Sequence, residues 1–397
     1  MSDQDLFDRA KARISIEDLA GKVTKLRGNA NQQRGACPIQ GCGSKSKTVP
    51  FAVWPKTGRF RCYSCGAWGD VVDLEHQLGG GSSADAARRL LGEGFQPSKP
   101  RRAYTPEDRQ ADDRKRQSLA QRMWREARPI LGTLAEKYLL GRAIHPAVVA
   151  RAAARLRFHP AALHSFDEGA QDWVRAPALI ASAETERGPT GGVHCTYLLR
   201  DGSGRDKALG KKMWGVHVGR DGRPAGAWLI GPELEGFAWT PLVLGEGIET
   251  TLSLASLAWM QGRRVRAVAA LSLSRLQGGV ERDDQGCLDL DHPKADLSVR
   301  PFIWPPPGAQ PWPEVLVGID HDMKPLKVMG RTGRGRSVPM ILDAEARAAL
   351  CASLVKQHWR AAGEPNVRTL LPPLNSDWNN ELQRRVEREL ARSGACA

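Results

Sequence analysis

The hydrophobic and polar positions divide the chain into stretches of different period. Residues 4 to 27 place Ile14, Ile16, Leu19, Ala20 and Val23 on one side of a helical spacing. DVVDLEHQL and SADAARRLLGEG follow as two short helices, the second opened by Ser82 or Ser83 and closed by Gly92. Residues 95 to 118 are rich in charge and proline without an apolar period, the composition of an exposed tether. From about 119 to 156 the pattern is helical. Between 172 and 230, APALIASAE, GGVHCTYLL and AGAWLIG are short apolar runs separated by glycine, which suits an antiparallel sheet. Beyond them PLVLGEG, RAVAAL, EVLVGID and VRTLLPP are β-prone and alternate with the helical TLSLASLAWMQG and DAEARAALCASLVKQHWRAAG. That alternation predicts a parallel sheet flanked by helices.

A chain of 397 residues is long enough for two or three domains. The balance of 58 Lys and Arg against 44 Asp and Glu, a net +14, favours polyanionic partners such as nucleic acid. There is no run of about 18 apolar residues, and MSDQDLFDRAKARIS lacks the basic-then-apolar layout of a secretory signal. A cytoplasmic protein without a membrane partner is expected. Cys195, Cys287, Cys351 and Cys396 are scattered and read as small buried hydrophobes or surface thiols.

The other four cysteines are clustered. Cys37 and Cys42 form a C-x4-C pair and Cys62 and Cys65 a C-x2-C pair, two ligand pairs on two turns. Zinc takes four thiolates in a tetrahedron, and the metal supplies folding energy to a small module. Pro38, Gly41, Gly66 and Gly69 offer the tight turns such knuckles need. Around them Lys45, Lys47, Lys56, Arg59 and Arg61 interleave with Phe51, Trp54, Phe60 and Tyr63. Trp54, Arg61 and Tyr63 suit a single-stranded nucleic acid, with bases stacked on rings and cations on phosphates. Phe51 and Phe60 read equally as core of the same ribbon.

Joining nucleotides requires activating a 3′ hydroxyl and neutralising a triphosphate, which carboxylates do by holding Mg²⁺ and by taking a proton. Acids at the carboxyl ends of parallel strands are placed for this. Glu246 follows PLVLG; Asp320 and Asp322 follow EVLVGI. Taken singly, either motif is equally a solvated loop or a helix cap.

CPIQGCGSKSKTVPFAVWPKTGRFRCYSCGAWGDVVDL resembles the zinc-binding domain of bacterial and phage primases, with Cys42 as fourth ligand and Gln40 where that family often has histidine. VLGEGIETTLSL, VLVGIDHD and NSDWNNEL resemble a Toprim domain. The resemblance implies that Glu246 serves as general base or acid, that Asp320 and Asp322 bind Mg²⁺ (or Mn²⁺) with Glu246, and that Asp377 is a further candidate ligand. In the late acidic segment, Asn380 replaces a second acid. PALIASAETERGPTGGVHCTYLLRDGSGRDKALGKKMWG resembles the basic subdomain before Toprim in mobile-element primases. There Lys207, Lys211 and Lys212 would face template or incoming triphosphate.

The expected architecture is therefore α+β and multidomain. A zinc-binding primase domain occupies 1–94 and a charged linker 95–118. A basic, antiparallel N-terminal subdomain of the core fills 119–235, and an α/β Toprim domain with a parallel sheet fills 236–397. The expected function is template-directed synthesis of short RNA primers on single-stranded DNA from nucleoside triphosphates, in a bacterial or phage-infected cell. No G-x-x-x-x-G-K-[ST] loop occurs, so the expected helicase partner is a separate protein. Two rivals stay in view. One is a Toprim nuclease or topoisomerase, although Tyr63, Tyr104, Tyr138 and Tyr197 all lie upstream of the acids. The other is a non-catalytic zinc and Toprim recombination mediator. Two segments depart from the family pattern: an insertion at 278–313, and the basic run from Lys324 to Arg336, which reads equally as a phosphate grip or an unstructured loop.

Overall fold

The computed structural model describes residues 3–29, 32–39, 42, 49–63, 65, 67–92, 106–167, 170–185, 187–231, 240–283, 287–303, 314–331, 337–364 and 366–394. Lys45 and Lys47, Gly41 and Gly66, and Gln40 lie outside them. The chain forms two compact units, Met1–Pro106 and Glu107–Ala397.

The first unit opens with helices Asp3–Arg13 and Ile16–Val23, separated because Ser15 turns extended and caps the second through the Asp18 N–H. A five-stranded antiparallel sheet follows in chain order: Arg27–Gly28, Gln33–Gly35, Phe51–Trp54, Arg59–Cys62 and Trp68–Gly69. Helix Val71–Gly79 starts in a capping box of Asp70 and Asp73, and Ser83–Leu91 in one of Ser82 and Asp85. Gly69 is required here, since a Cβ would run into the Asp73 side chain that closes the first box. Phe51 and Phe60 stack at 5.5 Å inside the core with Ile16, Leu74 and Leu90, so their reading as core holds.

In the second unit a five-stranded antiparallel sheet runs in the order Lys211–Trp214, Gly188–Tyr197, Asp172–Thr185, Leu156–Asp167, Arg128–Pro129. A second sheet runs Ala227–Ile230, Arg266–Ala269, Leu242–Gly245, Val315–Gly318, Val367–Leu370, parallel except for its first strand. Successive residues of its strands face opposite ways. Leu242, Leu244, Val268, Val315 and Val317 pack with helix Ala344–Ala361. Val243, Ala267, Ala269 and Leu316 pack with helices Ile248–Met260 and Trp378–Arg392. Gly318 ends its strand without a side chain because a Cβ there would run into Leu254 of the covering helix.

Three boundaries differ from expectation. Helix Pro106–Glu126 occupies the second half of the stretch read as a tether. Its charged residues are good helix formers, and among its described side chains the buried anchors, Ala120 and Met123, lie in its later turns. Gln117 ties it to the antiparallel sheet by donating to Thr190 O and accepting from the Val216 N–H. Strand Leu156–Asp167 begins where the stretch read as helical ends and fills a segment to which the hydrophobic pattern assigned no element; Pro160 and two register shifts break its alternation. The division at 235 is not a break in packing either. Leu156, Phe158, Leu179 and Ala181 of the antiparallel sheet share one core with Val243, Ile248 and Ala267, and strand Ala227–Ile230, from before the division, pairs with Arg266–Ala269 beyond it.

Candidate metal centres and nucleic-acid surface

The thiol sulfurs of Cys37, Cys42, Cys62 and Cys65 all lie within 4.8 Å of one another. Cys42 and Cys62 are 3.7 Å apart, Cys37 and Cys65 4.0 Å. A tetrahedron with Zn–S bonds of about 2.3 Å has edges of about 3.8 Å, so the four sulfurs fit this ion. The turns are knuckles: the Cys42 N–H donates to Ile39 O, and the Cys65 N–H to the Cys62 sulfur at 3.5 Å. Burial and the neighbouring thiols push Cys37 and Cys65 well up from the usual thiol range, a cost that a bound Zn²⁺ offsets. This is a zinc site.

Beside it, one row of register crosses four strands: Arg34, Ala52, Arg61 and Trp68. Arg34 and Arg61 lie over the Tyr63 ring at 5.4 and 5.3 Å. Tyr63 is 54% and Trp68 68% exposed, so rings and cations share a solvent-facing surface. Trp54, half-buried and paired with Arg59, borders it. Arg34 and Trp68 escaped sequence reasoning. Only the pairing register puts them in line with Arg61.

The expected acids stand at the carboxyl ends of neighbouring parallel strands. Glu246 follows Leu242–Gly245, and Asp320 and Asp322 follow Val315–Gly318, which pairs with it residue for residue. The loop carrying Asp320 is zipped to the loop before Asp377. The Ile319 N–H donates to Leu370 O, the His321 N–H to Ser376 O, and the Asn375 N–H to His321 O. Asp320 accepts from the Thr250 hydroxyl at 2.9 Å and the Trp378 N–H at 3.2 Å. Burial lifts Asp320 to about 6; those two donors oppose the lift and the charges of Asp377 and Glu246 add to it. Glu246 is also raised, by burial first, with Lys211, the Leu273 N–H and Arg347 pulling down and Asp322 pushing up. Asp377 caps helix Trp378–Arg392 through the Asn380 N–H at 2.6 Å. Asn379 is buried and donates to Arg142 O and to the Ser253 hydroxyl, a packing role.

The acids do not form a closed cage. Among the described residues only the four cysteines bring three or more ligating atoms within 4.8 Å. An open cluster of mutually repelling carboxylates nevertheless fits Mg²⁺, which keeps several waters and binds through one or two carboxylates with substrate phosphates.

The three lysines separate. Lys211 reaches the acids: its ammonium bonds Glu249 at 2.7 Å and stands 3.3 Å from where a Cβ on Gly247 would sit. Lys212, next along the strand, points to the other face, donates to His164 O and lies over the Trp214 ring at 4.7 Å. Lys207 stays on an exposed turn. Glu249, which sequence reasoning passed over, is buried and also accepts from the Tyr138 hydroxyl at 2.9 Å. Its signal was present: an acid three residues after Glu246, on the first turn of a helix that otherwise buries apolar and small residues.

Residues 2–96 match the family described as the CHC2 zinc finger, and residues 114–223 a domain of unknown function, DUF7146. Two curated relatives are DNA primases. That of Geobacillus stearothermophilus is 28% identical over 87 residues, 22% of this chain and 14% of the relative. That of Mycolicibacterium smegmatis is 32% identical over 81 residues, 20% of this chain and 12% of the relative. The matches thus span a small part of either primase's length. Among solved structures, the zinc-binding and RNA polymerase domains of the Aquifex aeolicus primase align with a TM-score of 0.36 at 18% identity, covering 99% of this chain and 84% of that one. No helix among the described residues is long and apolar enough to cross a membrane.

Proposed function

We propose that this chain is a DNA primase, which copies a single-stranded DNA template into a short RNA primer. The observation that carries the reading is the gathering of Glu246, Asp320 and Asp322 at the carboxyl ends of adjacent parallel strands, with Lys211 reaching in from the antiparallel sheet. The chain that carries this site also matches the CHC2 zinc finger over residues 2–96 and is similar over part of its length to DNA primases. The second unit's parallel sheet then corresponds to a Toprim domain. Asp320 and Asp322, with Glu246 and Asp377 nearby, would hold Mg²⁺, which when bound neutralises the triphosphate and lowers the pKa of the attacking hydroxyl. Glu246, shifted upward by burial, takes the proton from the primer 3′ hydroxyl. Lys211 meets phosphate charge, held in place by Glu249. The Arg34–Arg61–Tyr63–Trp68 face of the zinc unit holds the template single strand, stacking bases on the rings. Such an enzyme works in the cytoplasm beside a separate helicase.

Incorporation of labelled ribonucleotides on single-stranded DNA, without an added primer, tests this. Wild type should make short RNA, and Asp320→Asn should lose at least about 10²-fold in rate, on the scale of removing a group that stabilises transition-state charge. Binding of DNA without incorporation by wild type would favour the mediator reading. Full activity in Asp320→Asn would end the assignment of these acids.

A further inference from the structure

The two segments that depart from the family pattern pack as one device. Strands Leu326–Arg331 and Ser337–Leu342 pair antiparallel over six register positions into a ribbon that belongs to neither large sheet. Its inner face buries Val328 and Leu342 against Leu288 of the insertion, with Leu290 and Val280 beside them. The Leu288 N–H donates to Met329 O at 2.8 Å, and the Arg331 N–H returns to Leu288 O at 3.3 Å, so the insertion adds a short parallel bridge to the ribbon. Arg331 also pairs with Asp283 of the insertion. The insertion, together with Ala346 and Leu350 of helix Ala344–Ala361, is thus the buttress that fixes the ribbon's pose.

The outer face has a definite chemistry. Lys327 stands opposite Ile341 and Met329 opposite Pro339, all exposed, with Ile341 at 66% and Met329 at 39%. Exposed Lys324 lies at the base. The described residues of the ribbon, with its base, contain cations and apolar groups but no acid and no aromatic ring. Six paired positions extend about 20 Å, enough to follow roughly six base pairs at 3.4 Å each. The base is tied to the acid site: Lys324 comes two residues after Asp322, and its carbonyl accepts from Arg347, whose charge acts on Glu246.

We infer that this ribbon is a clamp for the primer–template duplex as it leaves the acid site, a deeper statement of the primase reading on which it rests. Cations without rings suit a duplex, whose bases are already stacked and whose outer surface is phosphate and sugar. The zinc unit, with Tyr63 and Trp68 exposed, has the opposite endowment and suits an unstacked single strand. Met329 and Ile341 supply apolar contact to sugars while Lys324 and Lys327 neutralise phosphates.

The test compares the full-length protein with Lys324→Gln/Lys327→Gln and, separately, Met329→Asp. Binding of a fluorescent RNA–DNA hybrid and of single-stranded DNA of equal length is measured by anisotropy across a salt series, without nucleoside triphosphates. The lysine double variant should bind the hybrid at least about fivefold more weakly, with a log–log salt slope shallower by about 2, one unit per lost phosphate contact. Single-strand affinity should stay within about twofold, and Met329→Asp should weaken the hybrid selectively as well. All these positions are exposed, and unchanged melting curves establish that the variants fold. Equal losses for hybrid and single strand would overturn the duplex assignment, and no loss for either would overturn the clamp. A wild-type protein that makes no RNA sinks the primase reading alone, because these binding measurements involve no catalysis.

Discussion

Replacing Glu249 with Gln removes the charge from a carboxylate that is only 6% exposed and bonded to both Lys211 and Tyr138. Burial alone would raise this carboxyl. The Lys211 charge and hydrogen bond, the residue's own N–H and the Tyr138 hydroxyl outweigh burial and hold it at about 2, against an ordinary 4.5. At 1.36 kcal/mol per unit this difference is worth roughly 3 kcal/mol of folded-state stability at neutral pH. A loss of about 3–5 kcal/mol is the usual cost of breaking one side of a buried pair, so the two routes agree. For a unit of this size the melting temperature should fall by roughly 6–12 °C at pH 7. The sign with pH follows from the depressed value. Wild type holds the stabilisation above pH 4.5 and loses it as pH falls toward 2, so the gap to Glu249→Gln should close over that window. Paired urea melts of wild type, Glu249→Gln, Lys211→Met and the double variant measure it. Each single change should cost more than its share, because it strands the other group, and the double variant should recover part of the loss. A gap below about 1 kcal/mol at pH 7, or one that persists undiminished near pH 2.5, would refute the ion-pair reasoning.

Two further outcomes follow from the first unit. Cys62→Ser should abolish stoichiometric zinc by metal analysis and remove the unit's cooperative melting, since one ligand sits in the centre of the core-forming ribbon and such modules draw their folding energy from the ion; retention of one zinc per chain would show that another residue completes the site. Trp68→Ala should weaken single-strand binding by about 1–3 kcal/mol with little change in melting temperature, because the ring is exposed and free to stack on a base; an equal loss of stability would instead make Trp68 a structural residue.

What the sequence made legible was whatever depends on near neighbours. The C-x4-C and C-x2-C pairs declare their chemistry in a few residues, and the four sulfurs do converge. Ser82 and Gly92 mark a helix whose caps fall where they stand. Glu246 and Asp320 sit at strand ends because apolar runs stop just before them. Illegible features needed partners far along the chain. Strand Leu156–Asp167 shows no clean period in the sequence, and its bulged pairing with Asp172–Thr185 explains why. Lys211 and Lys212 are indistinguishable in composition, and only strand alternation sends one to the acids and the other to Trp214.

The insertion and the basic run show the same limit in stronger form. Read separately, each lacks an apolar period long enough to specify a core: the insertion offers Leu288 and Leu290, and the basic run offers Val328 and Leu342 on one side of a six-residue strand pair. A two-stranded ribbon alone is marginal in water. Together the two segments bury one small cluster and exchange backbone hydrogen bonds at Leu288, which is enough to pin the ribbon. Without the insertion the basic run beside Asp322 would keep only Ala346 and Leu350 of helix Ala344–Ala361 against its inner face, and without the run the insertion would leave Leu288 exposed, so removing either segment should loosen the other.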